Sequence, residues 1–366
     1  MEKNAVELLS AHPIEEATGV YIYGIIDASG ERDFGHSIPG SVEEETIHSI
    51  GFGNIAAVVS RHAPRIAFRL LPRESLVIYL SKYQSVLSTV MRECTVIPVK
   101  FGTVARDSEE VKAILKQGVS EFKRELWTMK GKVELDIVAA WKDVNAIIGE
   151  IGASEEIRRL KEEMAAKPPE EARSSKIKIG QIVKGALEAR AGEAAAEIFE
   201  SLQGLACDFR AHDLLEANMI ANVSLLVKKG RMEACSAELV RLNERFAGKI
   251  NFRCVGPLPP YSFSLVEIEK VEAASLSQAR ALLGVNAGAA ASEIKKAYWN
   301  LSQQCHPDKH PDDNGYNGRF DELNRAYKLL LDGVNSGQGA APDLIRIEIS
   351  KDRVKPAQPQ KGQNIK

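Results

Sequence analysis

Two hydrophobic periods alternate along the chain, and the switches between them predict its elements. Residues 20–26 (VYIYGII) are dense in β-branched and aromatic side chains and read as a strand, as do residues 55–60 (IAAVVS). From Glu74 to Arg92, Leu76, Tyr79, Leu80, Tyr83, Leu87 and Val90 return at helical spacing. Residues 96–104 (VIPVKFGTV) predict a strand, with Pro98 at an edge or a start because it cannot donate to a ladder. Ser108 is placed to cap a helix reaching about Met129, and Glu109 and Glu110 fall in its first turn, where the helix dipole favours acids. Residues 133–141 (VELDIVAAW) close this half as a strand. The order ββαβαβ predicts one sheet with helices packed on a face.

A charged helix over 154–166 is stopped by Pro168 and Pro169, the first domain boundary. A helical stretch follows over 174–203, where Gly180, Gly185 and Gly192 argue against one unbroken helix. A strand at 219–227, a helix at 232–247 and strands near 250–255 and 261–268 complete a second αβ half. The predicted class is therefore α+β, with αβ domains at 18–150 and 151–268. Residues 269–274 read as a short charged linker, 275–332 as a compact helical unit, and 333–366 as a flexible basic tail. Within that tail, 345–349 (IRIEI) has the pattern of a strand. The two halves share no clean repeat.

Composition narrows the function classes. The formal net charge of -2 supplies no bulk attraction to nucleic acid or an anionic membrane. The first residues have no apolar run after a basic segment, and no stretch is long enough to span a bilayer. Cys94, Cys207, Cys235, Cys254 and Cys305 are widely spaced without a CxxC pair, which fits reduced thiols in a cytoplasm and disfavours structural zinc. No Walker loop, GxGxxG, GxSxG or HExxH frame occurs, and His12, His36, His48, His62 and His212 are scattered. The expectation is a chain with no catalytic residues, no cofactor and no metal.

The sharpest signal lies in the C-terminal helical unit. A short helix (LSQARALLGV) precedes a second one, with Ser292 as its expected cap and Ile294, Ala297, Tyr298 and Leu301 at i, i+3, i+4 and i+7. The loop HPDKHPDDNGYNG leads to a third helix, RFDELNRAYKLLL, with Phe320, Leu323 and Tyr327 on one face. Two apolar stripes joined by a tight loop form an antiparallel helical hairpin whose tip is exposed. Pro307 fixes φ and stops the helix, so His306 and Asp308 sit on a stiff polar turn. His306, Asp308, His310 and Asp312 are close enough in sequence to suggest a cation, but an exposed loop without supporting partners is a poor metal site.

This unit resembles the J-domain family. ALLGV, SEIKKAYWNLSQQCHPDKHPDD and FDELNRAYKLLL occur in the family's order over about fifty-five residues. The resemblance implies docking on a DnaK-type chaperone and stimulation of its ATP hydrolysis by His306, Pro307 and Asp308. Lys295 and Lys296 would face an acidic chaperone surface. Trp299, Asn300 and Cys305 depart from the family pattern, which weakens electrostatic steering.

The larger body resembles the gas vesicle accessory proteins of the F/L family. The collinear phrases are VYIYGII, IAAVVS, VIPVKFGTV, VELDIVAAWKD, SSKIKIGQIV, ANVSLLVKK and GPLPPYSF, covering roughly residues 18–268. The resemblance implies a non-enzymatic, cytoplasmic assembly factor associated with gas vesicles. Its partners would be the hydrophobic shell protein and other accessory proteins, with neither nucleic acid nor membrane bound. It also implies a second domain with a modified ferredoxin-like sheet. Leu258 stands where the family often has Trp. In GPLPPYSF, Pro259, Pro260, Tyr261 and Phe263 are candidate shell-protein contacts, set against a plain structural corner in which Tyr261 and Phe263 share one side of a strand. The competing functions are a co-chaperone with an unrelated client, an RNA-binding αβ protein and an enzyme.

Overall fold

The computed structural model describes residues 18–36, 46–64, 72–165, 169–271, 273–305, 314–335 and 344–350. The chain forms two compact units: Met1–Cys94, Pro98–Leu126 and Val266–Ser350 build the first, and Thr95–Ile97 with Trp127–Leu265 the second.

The first unit opens with β1 (Thr18–Ile26), β2 (Asp33–His36), β3 (Thr46–Phe52) and β4 (Ile55–Pro64), followed by α1 (Arg73–Glu93). Next in the chain come β5 (Val96–Pro98), of which Val96 and Ile97 count with the second unit, β6 (Val104–Ala105), α2 (Ser108–Gln117) and α3 (Val119–Met129), whose residues from Trp127 on also count with the second. The strand order is β2-β3-β4-β1-β5, with β6 also paired to β1. β3 and β4 form a hairpin in which Phe52 faces Ile55 across Gly53-Asn54. Gly53 has φ +63, as a two-residue hairpin turn requires. The core holds Ile22, Ile25, Val58, Leu87, Ile114 and Phe122, all fully buried.

The run read as one strand over 96–104 is two short strands. Pro98 supplies no donor, and the chain turns at Gly102, φ +87, where Thr103 N–H donates to the Lys100 carbonyl at 3.2 Å. The helix expected from Ser108 to Met129 divides at Gly118, and its cap is Asp107, whose carboxylate accepts from Glu110 N–H at 2.8 Å. A Cβ on Gly118 would lie 2.5 Å from the Phe122 ring, so this position has no room for a side chain.

The second unit comprises β7 (Lys132–Trp141), α4 (Val144–Gly152), α5 (Glu155–Ala165) and α6 (Pro169–Gln203). β8 (Asp208–Ala211), β9 (Met219–Lys228), α7 (Met232–Arg245) and β10 (Ile250–Leu258) follow. All pairings are antiparallel, in the order β10-β7-β9-β8. β7 does not close the N-terminal sheet, as its place in the sequence suggested. It is the strand between β10 and β9, paired along its whole length. The helix α4, absent from the sequence reading, is capped by Asp143, which accepts from Ala146 N–H at 3.0 Å. Helix α6 runs unbroken through its three glycines. Each glycine costs about 1 kcal/mol relative to alanine, and burial of Ala194, Ile198 and Leu202 near the helix end offsets that cost.

The rest of the first unit is β11 (Leu265–Val271), α8 (Ala273–Leu283), α9 (Ala291–Cys305), α10 (Asn314–Asn335) and β12 (Leu344–Ser350). The strand expected at 261–268 begins instead at Leu265, because residues 259–264 form a turn. The expected linker is mostly strand: Glu269, Lys270 and Val271 belong to β11, and Ala273 opens α8. The strand pattern at 345–349 forms β12, which pairs with β11 in a two-stranded ribbon.

Candidate functional site

Helices α8, α9 and α10 enclose a small core of Leu276, Ala279, Leu283, Ile294, Leu323 and Leu330. The expected stripe residues Tyr298, Leu301 and Tyr327 pack against it. The rings of Tyr298 and Tyr327 stack at 4.1 Å between centroids, and the Tyr298 hydroxyl donates to Asn324 Oδ1 at 2.5 Å. These contacts lock α9 against α10. The α9 cap is not Ser292, which lies inside the first turn. Glu293 reaches back to accept from Ala290 N–H at 2.8 Å, the carboxylate half of a capping box.

Lys295 and Lys296 are both exposed on α9. Trp299, one turn on from them, is 62% exposed, an unusual position for so large an apolar surface. Cys305 ends the helix with its side chain buried. His306, Pro307 and Asp308 follow it directly and lie outside the described residues, as do His310 and Asp312.

The second candidate is the corner at 256–264. Leu258 ends β10, Pro259 and Pro260 are buried, and three backbone bonds fold the next residues into a turn. Tyr261 N–H donates to the Pro259 carbonyl at 2.8 Å, and Phe263 and Ser264 donate to Pro260 at 3.2 and 2.9 Å. Tyr261 and Phe263 therefore do not share one side of a strand. Phe263 is 1% exposed, with the Arg210 guanidinium 5.2 Å from its ring centroid. Tyr261 is half-buried, and burial followed by the charge of Glu134 pushes its phenol up.

Beneath this turn lies a polar network that the sequence reading missed. Ser262 N–H donates to Glu134 Oε2 at 2.9 Å, and Ser262 Oγ lies 2.8 Å from Glu134 Oε1 and 3.1 Å from Ser224 Oγ. Ser224 Oγ donates to Asp136 Oδ1 at 2.6 Å, and His212 Nε2 is 2.7 Å from the same hydroxyl. Glu134 is 1% exposed. Burial first, and then the neighbouring Asp136 charge, push its carboxyl up to about 8. The visible signal was the pair of acids two residues apart in an otherwise apolar strand, one face of β7. Their partners, just after β8, on β9 and in the turn, are distant in sequence.

Glu134 titrates near 4.3 in an unfolded chain and near 8 here, so the folded state binds the extra proton between those values. The stability this supplies is complete below the lower value and is lost as pH rises toward the upper one. Glu134→Gln is expected to flatten that slope, so its melting temperature relative to wild type rises between pH 5 and pH 8.5. A difference that stays constant with pH would rule out a neutral Glu134. Gly256 closes the corner from the other side: its φ is +151, and a Cβ would lie 2.6 Å from Leu135 Cδ2 and 2.9 Å from the Glu134 carbonyl oxygen. Gly256→Ala is expected to cost about 1–3 kcal/mol in a denaturant titration, and an unchanged midpoint would contradict it.

Among the described residues, no group of three or more His, Cys, Asp and Glu is arranged to hold a metal ion. Among the same residues, no helix is long and apolar enough to cross a membrane.

Comparison with known proteins places both regions. The family described as "Gas vesicle synthesis protein GvpL/GvpF" matches residues 19–264, and the DnaJ domain matches residues 281–336. Gas vesicle protein F of a Streptomyces species is 28% identical over 251 residues, 66% of this chain and 98% of that protein. Chaperone protein DnaJ of Acetivibrio thermocellus is 49% identical over 51 residues, 14% of this chain and 13% of that protein. The chain thus spans only a small part of the DnaJ relatives that it matches. The crystal structure of the gas vesicle protein GvpF from Anabaena superposes with a TM-score of 0.56 at 20% identity, covering 67% of this chain and 97% of that one. At that identity the superposition establishes the fold.

Proposed function

Because the chain belongs to the gas vesicle synthesis protein GvpL/GvpF family and carries a DnaJ domain, we propose that it holds gas vesicle shell protein on its αβ body and brings a DnaK-type chaperone to that client. The observation that carries this reading is the presence of both domains in one chain, the first over 19–264 and the second over 281–336. A J-domain covalently joined to a client holder raises the local concentration of chaperone at the client, without any new contact. Exposed strands of an unassembled shell protein are an aggregation hazard, which gives the fusion a physical purpose. The reading places the protein in the cytoplasm, on forming gas vesicles, and assigns it no catalysis of its own.

On the chaperone side, His306, Pro307 and Asp308 are the stimulating triplet, and the exposed Lys295 and Lys296 steer the encounter. On the client side, the candidate contact in the turn at 259–263 is Tyr261, which is only partly exposed. Pro259, Pro260 and Phe263 are buried and fix the backbone beneath it. The succession β-ααα-β-β-α-β in the second unit, with its first strand between the last and third, supports the ferredoxin-like reading of that domain.

Light scattering of shell protein diluted from denaturant tests the holding step. The chain at equimolar ratio, without chaperone or nucleotide, is expected to delay the rise in scattering. An unaltered time course with correctly folded protein would remove shell protein as the client.

A further inference from the structure

The segment between the GvpL/GvpF region and the helical hairpin is built as a docked element. At its start, β11 joins the N-terminal sheet region: Val266 forms a parallel bridge with Val99, and Lys100 N–H donates to the Val266 carbonyl at 2.8 Å. Lys100 Nζ also lies 2.6 Å from Glu267 Oε2. Farther along, Lys270 Nζ reaches Glu110 Oε2 on α2 at 2.8 Å. Glu110 is buried. Burial alone would raise its carboxyl, but bonds from Arg106 N–H and Lys270 outweigh that and hold it below the usual range.

β12 makes the matching contacts from the other end of the hairpin. The Gln117 side-chain amide donates to the Ile345 carbonyl, and Ile347 Cδ1 comes within 3.0 Å of where a Cβ on Gly118 would sit. The glycine that divides α2 from α3 thus also lets this strand approach. In the opposite direction, both strands feed the helical core: Val271 from β11 and Leu344 from β12 are buried with Leu276, Leu283 and Leu330. Arg346 ties the ribbon to α10 through Asp332 Oδ2, at 2.5 and 3.0 Å, and to Glu269 at 3.5 Å.

Each strand therefore has one set of side chains in the hairpin core and another on the N-terminal elements. A flexible tether would leave its residues solvated and its charges without fixed partners. We propose that the β11–β12 ribbon is a mount, in which residues 344–350 strap the J-domain to the α2–α3 junction of the N-terminal αβ region and hold it in one orientation. The mount concerns the fold and does not depend on which client the body binds. Where the chaperone reading holds, Lys295 and Lys296 are presented in a set direction, so the chaperone reaches only part of the space that a free tether would allow.

Backbone 15N relaxation on the full, deuterated chain tests this. In the wild type, amides of α8–α10 are expected to share the rotational correlation time of amides in β1–β4. In Lys270→Glu/Ile347→Asp, which removes the ion pair of β11 to the buried Glu110 and the apolar contact of β12 at Gly118 and leaves Leu344 in place, the hairpin amides are expected to tumble about threefold faster or more, since tumbling volume scales roughly with chain length. Independent tumbling in the wild type would overturn the mount, as would unchanged joint tumbling in the double variant. Should that variant lose the dispersed spectrum of α8–α10, Gln117→Ala/Lys270→Ala, which removes one polar contact of each strand, decides by the same criterion. The GvpL/GvpF and DnaJ functions are read separately by scattering and ATPase assays, so failure of the mount leaves them standing.

Discussion

His306→Gln is expected to reduce stimulation of a DnaK-type chaperone's ATP hydrolysis to the basal rate, with the fold unchanged. The residue follows Cys305, the buried last residue of α9. The hairpin on either side is held by the Tyr298–Tyr327 stack and by the Ile294, Leu323 and Leu330 core. None of those contacts involves position 306. His306→Gln leaves all of these contacts in place, and a substitution that removes no core contact usually changes stability by no more than about 0.5 kcal/mol, so thermal melting should be nearly superimposable. Each tenfold of lost stimulation corresponds to about 1.4 kcal/mol of transition-state stabilisation. Single-turnover hydrolysis measures it, and full stimulation by the variant would remove His306 from the mechanism. Lys295→Glu/Lys296→Glu should instead weaken the encounter in a salt-dependent way, because exposed charges act mainly on association.

Phe263→Ala is expected to destabilise the second unit by about 3–5 kcal/mol, the usual range for truncating a buried phenylalanine. The side chain is 1% exposed and lies under the Arg210 guanidinium, so its loss leaves a cavity and removes a cation–π contact. Tyr261→Ala, at a half-buried position, should cost less stability and more client binding. Urea titration of the two variants separates a packing role from a contact role. A Phe263→Ala midpoint equal to wild type would mean that the ring is not packed as described. That matters because both residues read as equivalent candidates from the phrase GPLPPYSF alone.

Much of the architecture was legible where local pattern decides structure. The strands at 20–26 and 55–60, the helix from Glu74 and the helical hairpin all announce themselves by period. The hairpin joining β3 to β4 carried a readable signal, Gly53-Asn54 between apolar runs, but the polar Thr46, His48 and Ser49 masked its strand. What pattern could not supply was partnership. Residues 133–141 read correctly as a strand, yet nothing local says that it pairs with β9 and β10 rather than with the N-terminal sheet. The same holds for Glu134: two acids in an apolar strand were visible, while Ser262, Ser224 and His212 are brought to them only by the fold. The linker misreading has a different cause. Glu269 and Lys270 look solvated in sequence, but Lys270 is paired to a buried acid and Val271 enters the hairpin core. For the J-domain, recognition rested on ordered motifs. The helices bear out the frame around His306, Pro307 and Asp308, and Trp299, exposed beside Lys295 and Lys296, stands out as this chain's own departure.

The central claim is that one chain couples shell protein to a chaperone. Single-turnover ATP hydrolysis by a DnaK-type chaperone, measured with the wild-type chain in the presence and absence of shell protein, tests it most directly. The account predicts stimulation that requires His306 and rises further when shell protein is added. Stimulation that requires His306 but is indifferent to shell protein would contradict it.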